Sequence, residues 1–382
     1  MEIIKDKYRV FVLGAGFSKP TGLPLCAELF TTLLRIARRK YRHVEKFVLD
    51  DDLEKFIKYQ RRARNRELTE NDINLEDFIS YLDLEHFLRL KGKDHWSEEG
   101  NLSQIYIKNL IAHILYDREC QMGADEFRLY EKFAEKLKPG DLIITFNYDT
   151  ILEKTFARKK IPYSLVPVGF EENNLSQEDK IVLLKMHGSI DWFDYSVFER
   201  TCEWIKKLPG NPPVQDSVFA REGTPLHLEK IIEKPVAWNS PLNKIYGIED
   251  LGDYLYTTNW ASASPLIISP SHSKLIHVNP LIEFWHGYSS TGGGNGTVTI
   301  IGFSLPTHDE YIRQPLYHLV DNFQNNNFYK DILVKTNLKM IDYKTTSDEI
   351  LKYKENYSFV DWDRTDCYFN GFNEESLDVI FE

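Results

Sequence analysis

Arg9-Val10-Phe11-Val12-Leu13-Gly14-Ala15-Gly16-Phe17-Ser18-Lys19-Pro20-Thr21-Gly22-Leu23-Pro24 is an apolar run that stops at a glycine pair and restarts as a helix. A buried parallel strand turning sharply into a helix is written this way, because glycine lets backbone amides approach a phosphate with no Cβ in between. The stretch therefore reads as the first strand and turn of a nucleotide-binding sheet. A full dinucleotide fingerprint would place a third glycine where Lys19 stands, and no clean acidic ribose partner follows about 20 residues on. An ordinary strand-to-helix turn would look similar, so the rest of the chain has to decide.

Three further runs repeat the design. Leu142-Ile143-Ile144-Thr145-Phe146-Asn147-Tyr148-Asp149 follows the Pro139-Gly140 break, Val182-Leu183-Leu184-Lys185-Met186-His187-Gly188-Ser189 comes next, and Val298-Thr299-Ile300-Ile301-Gly302-Phe303-Ser304-Leu305 follows later. Each is a short apolar strand ending in small or polar groups. Ligands of open parallel sheets bind beyond the carboxyl ends of the strands, so the four endings are expected to converge on one crevice. The fold class expected is α/β, a doubly wound Rossmann-like parallel sheet with a helical insertion.

Between the first two strands the period changes to that of helices. Leu29, Phe30, Leu33, Leu34, Ala37, Tyr41, Val44 and Phe47 recur on one face, and Asn74 is a cap for a helix carrying Glu76 and Asp77 in its first turn. Residues 30–138 are accordingly read as a helical insertion subdomain, with residues 1–29 and 139–382 forming the domain built on the sheet. Residues 195–265, rich in Pro, Trp and Tyr, read as a loop-dominated insertion, and the glycines at 292–296 as a flexible connection. Leu338 to Lys344 is expected to add a last strand.

At 382 residues the chain buries an ample core. Its four cysteines, Cys26, Cys120, Cys202 and Cys367, are dispersed, which argues against disulfides and a zinc site and for a reducing cytoplasm. No apolar run approaches the roughly 20 residues of a membrane span. With 47 basic and 58 acidic residues the net charge is −11, so nucleic acid would be met only indirectly or through the local basic face of Arg35, Arg38, Arg39, Lys40, Arg42, Arg61, Arg62, Arg64 and Arg66. A solvated helix face is the reading favoured for that cluster over a partner or nucleic-acid contact.

Taken together, GAGFS at 14–18, TFNYD at 145–149, HGS at 187–189 and GFSLPTHD at 302–309 resemble the sirtuin-like fold family. With NLEDFISYLD at 74–83, the chain is similar to the bacterial branch of NAD-hydrolysing antiphage effectors, which includes partners of HerA-type ATPases. The chain departs from the protein deacylases of the family: it lacks their two zinc-holding cysteine pairs, has Leu25-Cys26-Ala27 in place of an Asp-Phe-Arg segment, and has Phe146 where they carry Gln.

The resemblance implies NAD+ as substrate, no prosthetic group and no metal. It places Gly14, Ala15, Gly16, Phe17 and Ser18 around the diphosphate through backbone amides, with Gly302 and Ser304 on the opposite lip and Thr145 and Phe146 beside the nucleotide. Asn147 and Asp149 fall where the family holds the nicotinamide ribose and carboxamide. His187, with an ordinary pKa near ~6.5, would accept a proton from water or a ribose hydroxyl. His308 and Asp309 are further candidates. The implied activity is that of an NAD+ glycohydrolase acting in antiphage defence by NAD+ depletion, as a homo-oligomer controlled by a HerA-type ATPase. An NAD-dependent deacylase and a non-catalytic nucleotide-binding scaffold stand as alternatives.

Overall fold

Val10 and Val12 pack into one apolar cluster and Phe11 and Leu13 into another, and all four are fully buried. A strand whose alternate side chains enter two different cores lies in a sheet covered on both faces, as parallel sheets require. The computed structural model describes residues 9–40, 48–90, 100–165, 179–207, 209–210, 220–221, 224–225, 228–232, 237–257, 264–286, 291–306, 309–326 and 333–382.

The main sheet is built from β1 (Arg9–Leu13), β2 (Leu142–Thr145), β3 (Tyr163–Ser164) and β4 (Ile181–Lys185). Three more strands join it later in the chain: β8 (Thr297–Ile301), β9 (Leu338–Ile341) and β10 (Thr365–Tyr368). Their spatial order is β10-β9-β8-β1-β2-β4-β3, and every pairing is parallel. The chain leaves β1 toward β2 on one side and later returns to β8 on the other. The order thus reverses between β1 and β8, where open α/β sheets bind their ligands.

Helices α1 (Ala15–Ser18), α2 (Cys26–Lys40), α3 (Val48–Arg64), α4 (Leu75–Phe87), α5 (Leu102–Cys120) and α6 (Ala124–Glu135) all lie between β1 and β2 in sequence. Their apolar stripes, among them Phe30, Phe56, Phe78, Ile111 and Phe133, merge with Phe11, Leu13, Ile143 and Leu183 in one core. Asn74 does cap α4, its Oδ1 accepting from the amides of Glu76 at 2.7 Å and Asp77 at 3.3 Å. Helix α7 (Ile151–Lys159) follows β2, while α8 (Glu310–Asn325) and α9 (Ser347–Asn356) follow β8 and β9. The opposite face of the sheet packs on Leu316, Leu319, Val320 and Tyr353.

Three sequence expectations need correction. Residues 195–265 are not mainly loop where they are described: Tyr195–Lys206 and Leu251–Thr257 are helices. There, β5 (Trp192–Asp194), β6 (Leu228–Lys230) and β7 (Ile245–Ile248) form a small antiparallel sheet. Trp192 and Ile245 anchor it in the core, which a search for simple periods misses. The glycine run is a packed turn: Gly292 has φ 101°, and a Cβ there would stand 2.2 Å from the Leu319 carbonyl oxygen. The last strand is not Leu338–Lys344, because β10 adds an edge beyond it. Helix α10 (Glu374–Phe381) then brings Phe372 and Phe381 onto Phe133 at 5.8 and 5.5 Å between ring centres. Among the described residues no helix is long and apolar enough to cross a membrane.

Candidate active site

The glycines of the first motif close the sheet's crossover. Gly14 N donates to Ile301 O at 2.9 Å, Gly16 N to Gly302 O at 2.8 Å, Phe17 N to Gly14 O at 2.9 Å and Gly302 N to Ile341 O at 2.7 Å. Gly302 has φ 62°, and a Cβ on it would stand 2.3 Å from Phe17 N; one on Gly14 would stand 2.5 Å from Gly302 O. Glycine is thus required at both positions by the close approach of two backbones. Consequently the amides of Gly14, Gly16, Phe17 and Gly302 are all engaged within the fold. From this loop, Ala15 and Ser18 line a cavity. The Phe17 ring faces the core, 4.5 Å from Phe372 and 5.2 Å from Tyr130, whose hydroxyl donates to Phe17 O at 2.9 Å. Ser304 is exposed and lies outside the cavity lining.

Beyond β2 the chain turns toward that loop. Thr145, itself buried, accepts the Asn147 amide on Oγ1 at 3.1 Å. Asn147 Nδ2 donates to Gly14 O at 2.9 Å and to Ser18 Oγ at 3.0 Å, and Ser18 Oγ donates to Asp149 Oδ2 at 2.7 Å. Asn147, Ser18 and Asp149 therefore form one hydrogen-bonded chain along the cavity wall, with the Asn147 carbonyl oxygen left for other partners. Burial raises the Asp149 pKa, and Glu119 adds to the rise, against the opposing pull of Lys185 and the Ser18 hydroxyl.

Behind this wall sits a buried ionic cluster. Lys185, at the end of β4, donates from Nζ to the Asp149 carbonyl and to Glu153 Oε1, both at 2.6 Å. Burial alone would lower the Lys185 pKa, but Glu153, Asp191 and Asp149 outweigh it and keep the ammonium charged. Glu119 holds the loop from the other side, accepting from Thr150 N at 2.9 Å and Lys154 Nζ at 2.6 Å. The peptide unit joining Asp149 to Thr150 is thus held from both sides by charge-assisted bonds, Lys185 on its carbonyl and Glu119 on its amide.

His187 follows β4 directly and lines the same cavity. Its ring lies 5.1 Å from Phe146 and 6.1 Å from both Tyr148 and Tyr311. Burial, reinforced by the positive charge of Lys274, pushes its pKa well below the usual value, against a hydrogen bond to the Phe146 backbone that works the other way. The imidazole is therefore neutral at physiological pH. Nε2 is buried with no hydrogen-bond partner among the described residues. An imidazole so placed is a proton acceptor in waiting.

Two residues complete the lining from far along the chain. Lys274 Nζ pairs with Asp309 Oδ2 at 2.5 Å and lies 3.6 Å from Glu76 Oε1. Phe146 and Phe303, 5.0 Å apart, form the apolar wall. The cavity measures about 170 Å³ and adjoins a more polar chamber of about 580 Å³; Glu76, Lys274, Pro306 and Asp309 line both. Sequence reading reached Ala15, Ser18, Phe146, Asn147, Asp149, His187 and Asp309. It missed Lys185, Glu153, Glu119, Glu76 and Lys274; a lysine inside the apolar run 182–186 was the one visible signal. His308 lies outside the described residues. No group of three or more His, Cys, Asp or Glu that could hold a metal ion occurs among the described residues.

Residues 141–202 match the family model of the SIR2-like domain, a stretch holding β2, the Asn147 loop, α7, β4 and His187. No curated protein matches the chain. Among solved structures it is similar to a sirtuin described under the structural basis of sirtuin substrate affinity, at 11% identity and a TM-score of 0.35, covering 98% of this chain and 92% of that one. It is also similar to Sir2Tm bound to a propionylated peptide, at 12% identity and a TM-score of 0.30, covering 98% and 91%. The segment that carries Thr145, Phe146, Asn147, Asp149 and His187 is thus similar to a SIR2-like domain.

Proposed function

We propose that the chain is an NAD+ glycohydrolase, releasing nicotinamide and ADP-ribose. One observation carries the reading: the Asn147-Ser18-Asp149 chain and the unpartnered Nε2 of a neutral His187 line a single cavity at the sheet's crossover. The SIR2-like match over residues 141–202 supports NAD-related chemistry at this place. Breaking the nicotinamide to ribose bond returns its electron pair to the ring nitrogen and leaves positive charge on the ribose. Asn147 and Asp149 hold the ribose and carboxamide, and the carboxylate offsets the developing charge. His187 Nε2 takes the proton of the attacking water or ribose hydroxyl and passes it to solvent.

The reading extends to an antiphage effector that depletes NAD+, controlled through self-association and a HerA-type ATPase, on the strength of the sequence resemblance. It divides the chain into a catalytic domain, residues 1–29 and 139–382, and the helical subdomain 30–138, supported by the placement of α2 to α6 between β1 and β2. The basic face of that subdomain is partly neutralised, Arg38 by Asp50 and Glu70 and Arg61 by Glu67. Incubating the purified chain with NAD+ and resolving the products tests the activity. Nicotinamide with ADP-ribose is the expected outcome; nicotinamide released only in the presence of an acylated peptide would move the chain to the deacylases.

A further inference from the structure

Helix α4 belongs to the stretch 74–83 that the sequence singled out, and its polar side chains share one task. Asp77 Oδ1 meets His272 Nε2 at 2.9 Å, Ser80 Oγ accepts the His272 amide at 2.8 Å and Asp83 Oδ1 meets His277 Nε2 at 3.0 Å. Glu76 stands 3.6 Å from Lys274. Positions 76, 77, 80 and 83 fall on one helical face, so α4 grips the segment 272–277 along its length. Lys274, in the middle of that segment, is carried to the junction of the two cavities, with its side chain only 6% exposed.

The small cavity, at about 170 Å³, lies below the roughly 300 Å³ at which ligand pockets begin, whereas the adjoining chamber offers about 580 Å³. A dinucleotide with its nicotinamide end beside His187 has to pass Lys274 to reach the chamber. The group joining its two nucleosides is a diphosphate. The glycine-loop amides that would ordinarily meet it are largely engaged in backbone bonds. A lysine ammonium carries three N–H donors, of which Asp309 takes one, and Glu76 is beyond hydrogen-bond range. The outer chamber is lined by Arg64, Arg66 and Lys274 against Glu76, Asp77 and Asp309; Asp77 is paired with His272 and Asp309 with Lys274, while Arg64 and Arg66 make no ion pair among the described residues, which leaves their charge for an anion.

We infer that Lys274, held at the junction by the acidic face of α4, binds the diphosphate of a dinucleotide spanning both cavities. The assignment rests on the NAD+ reading for the identity of that dinucleotide, and direct binding tests it separately from turnover. Removing Lys274 alone strands Asp309, so the informative protein is Lys274→Met with Asp309→Asn, compared with Lys274→Arg and the parent by calorimetry and melting temperature. Loss of one charge-assisted contact to phosphate predicts ADP and NAD+ binding weakened about tenfold or more in the double variant. Adenosine binding is expected to be unchanged, and Lys274→Arg to recover most of the loss. Equal ADP affinity in parent and double variant, or equal losses for ADP and adenosine in a protein that melts normally, would overturn the assignment, whether or not the chain releases nicotinamide.

Discussion

Replacing Lys185 by Met tests the ionic cluster behind the loop that carries Asn147 and Asp149. The Lys185 side chain is 1% exposed and that of Glu153 13%, so the substitution leaves a buried carboxylate beside Asp191 without the lysine that offsets it. Breaking one partner of such a pair costs about 3–5 kcal/mol. Burial already raises the Glu153 pKa, and without Lys185 it rises further. The folded variant then binds a proton that the unfolded chain, with Glu near ~4.3, has released, so its stability falls as pH rises from 5 to 8, by up to about 1.4 kcal/mol per pH unit. Adding Glu153→Gln removes the stranded charge and is expected to restore more than half of the loss. Urea unfolding of parent, single and double variants at pH 6 and pH 8 reads all of this. A Lys185→Met protein within about 1 kcal/mol of the parent, or a double variant no better than the single, would refute the reasoning.

Three further outcomes concern His187 and Gly302. The lowered His187 pKa keeps its lone pair available below pH 6.5, so nicotinamide release is expected to fall between pH 7.5 and 5.5 by clearly less than the roughly tenfold an ordinary imidazole would lose. Because the unfolded chain takes up that proton and the folded one does not, the same residue costs stability as pH falls below about 6.5, which thermal melts across pH would show. Gly302→Ala puts a Cβ 2.3 Å from Phe17 N at φ 62° and is expected to destabilise by about 2 kcal/mol or more, while Gly123→Ala, with nothing within 4 Å, has little effect in the same melts.

Strands β1, β2, β4, β8 and β9 were legible because each is a short apolar run, and the ends of the first four foretold the crevice holding Asn147, Asp149 and His187; the edge strands β3 and β10, Tyr163–Ser164 and Thr365–Tyr368, hold no apolar run and were not. The site's remaining parts were not, since no local pattern links Lys274 to Asp309 or Glu76; packing alone brings them together. Lys185 was visible but ambiguous: a lysine closing an apolar strand reads as its solvent end, whereas here four carboxylate or carbonyl neighbours keep it charged in the interior. Ser18 was read for its amide, yet its hydroxyl joins Asn147 to Asp149. Phe372 was not legible as a core residue because its ring partners, Phe17, Tyr130 and Phe133, come from distant parts of the chain.

The most direct test of the proposed chemistry is nicotinamide release by His187→Ala and Asn147→Ala, measured beside melting temperature and NAD+ affinity on the same preparations. For His187→Ala the expected result is loss of turnover with melting and binding close to the parent, since its proposed task falls as the bond breaks; Asn147→Ala, which also gives up its bonds to Gly14 O and Ser18 Oγ, is expected to lose turnover with a lower melting temperature. A His187→Ala protein that melts normally and releases nicotinamide at the parent rate would contradict the account.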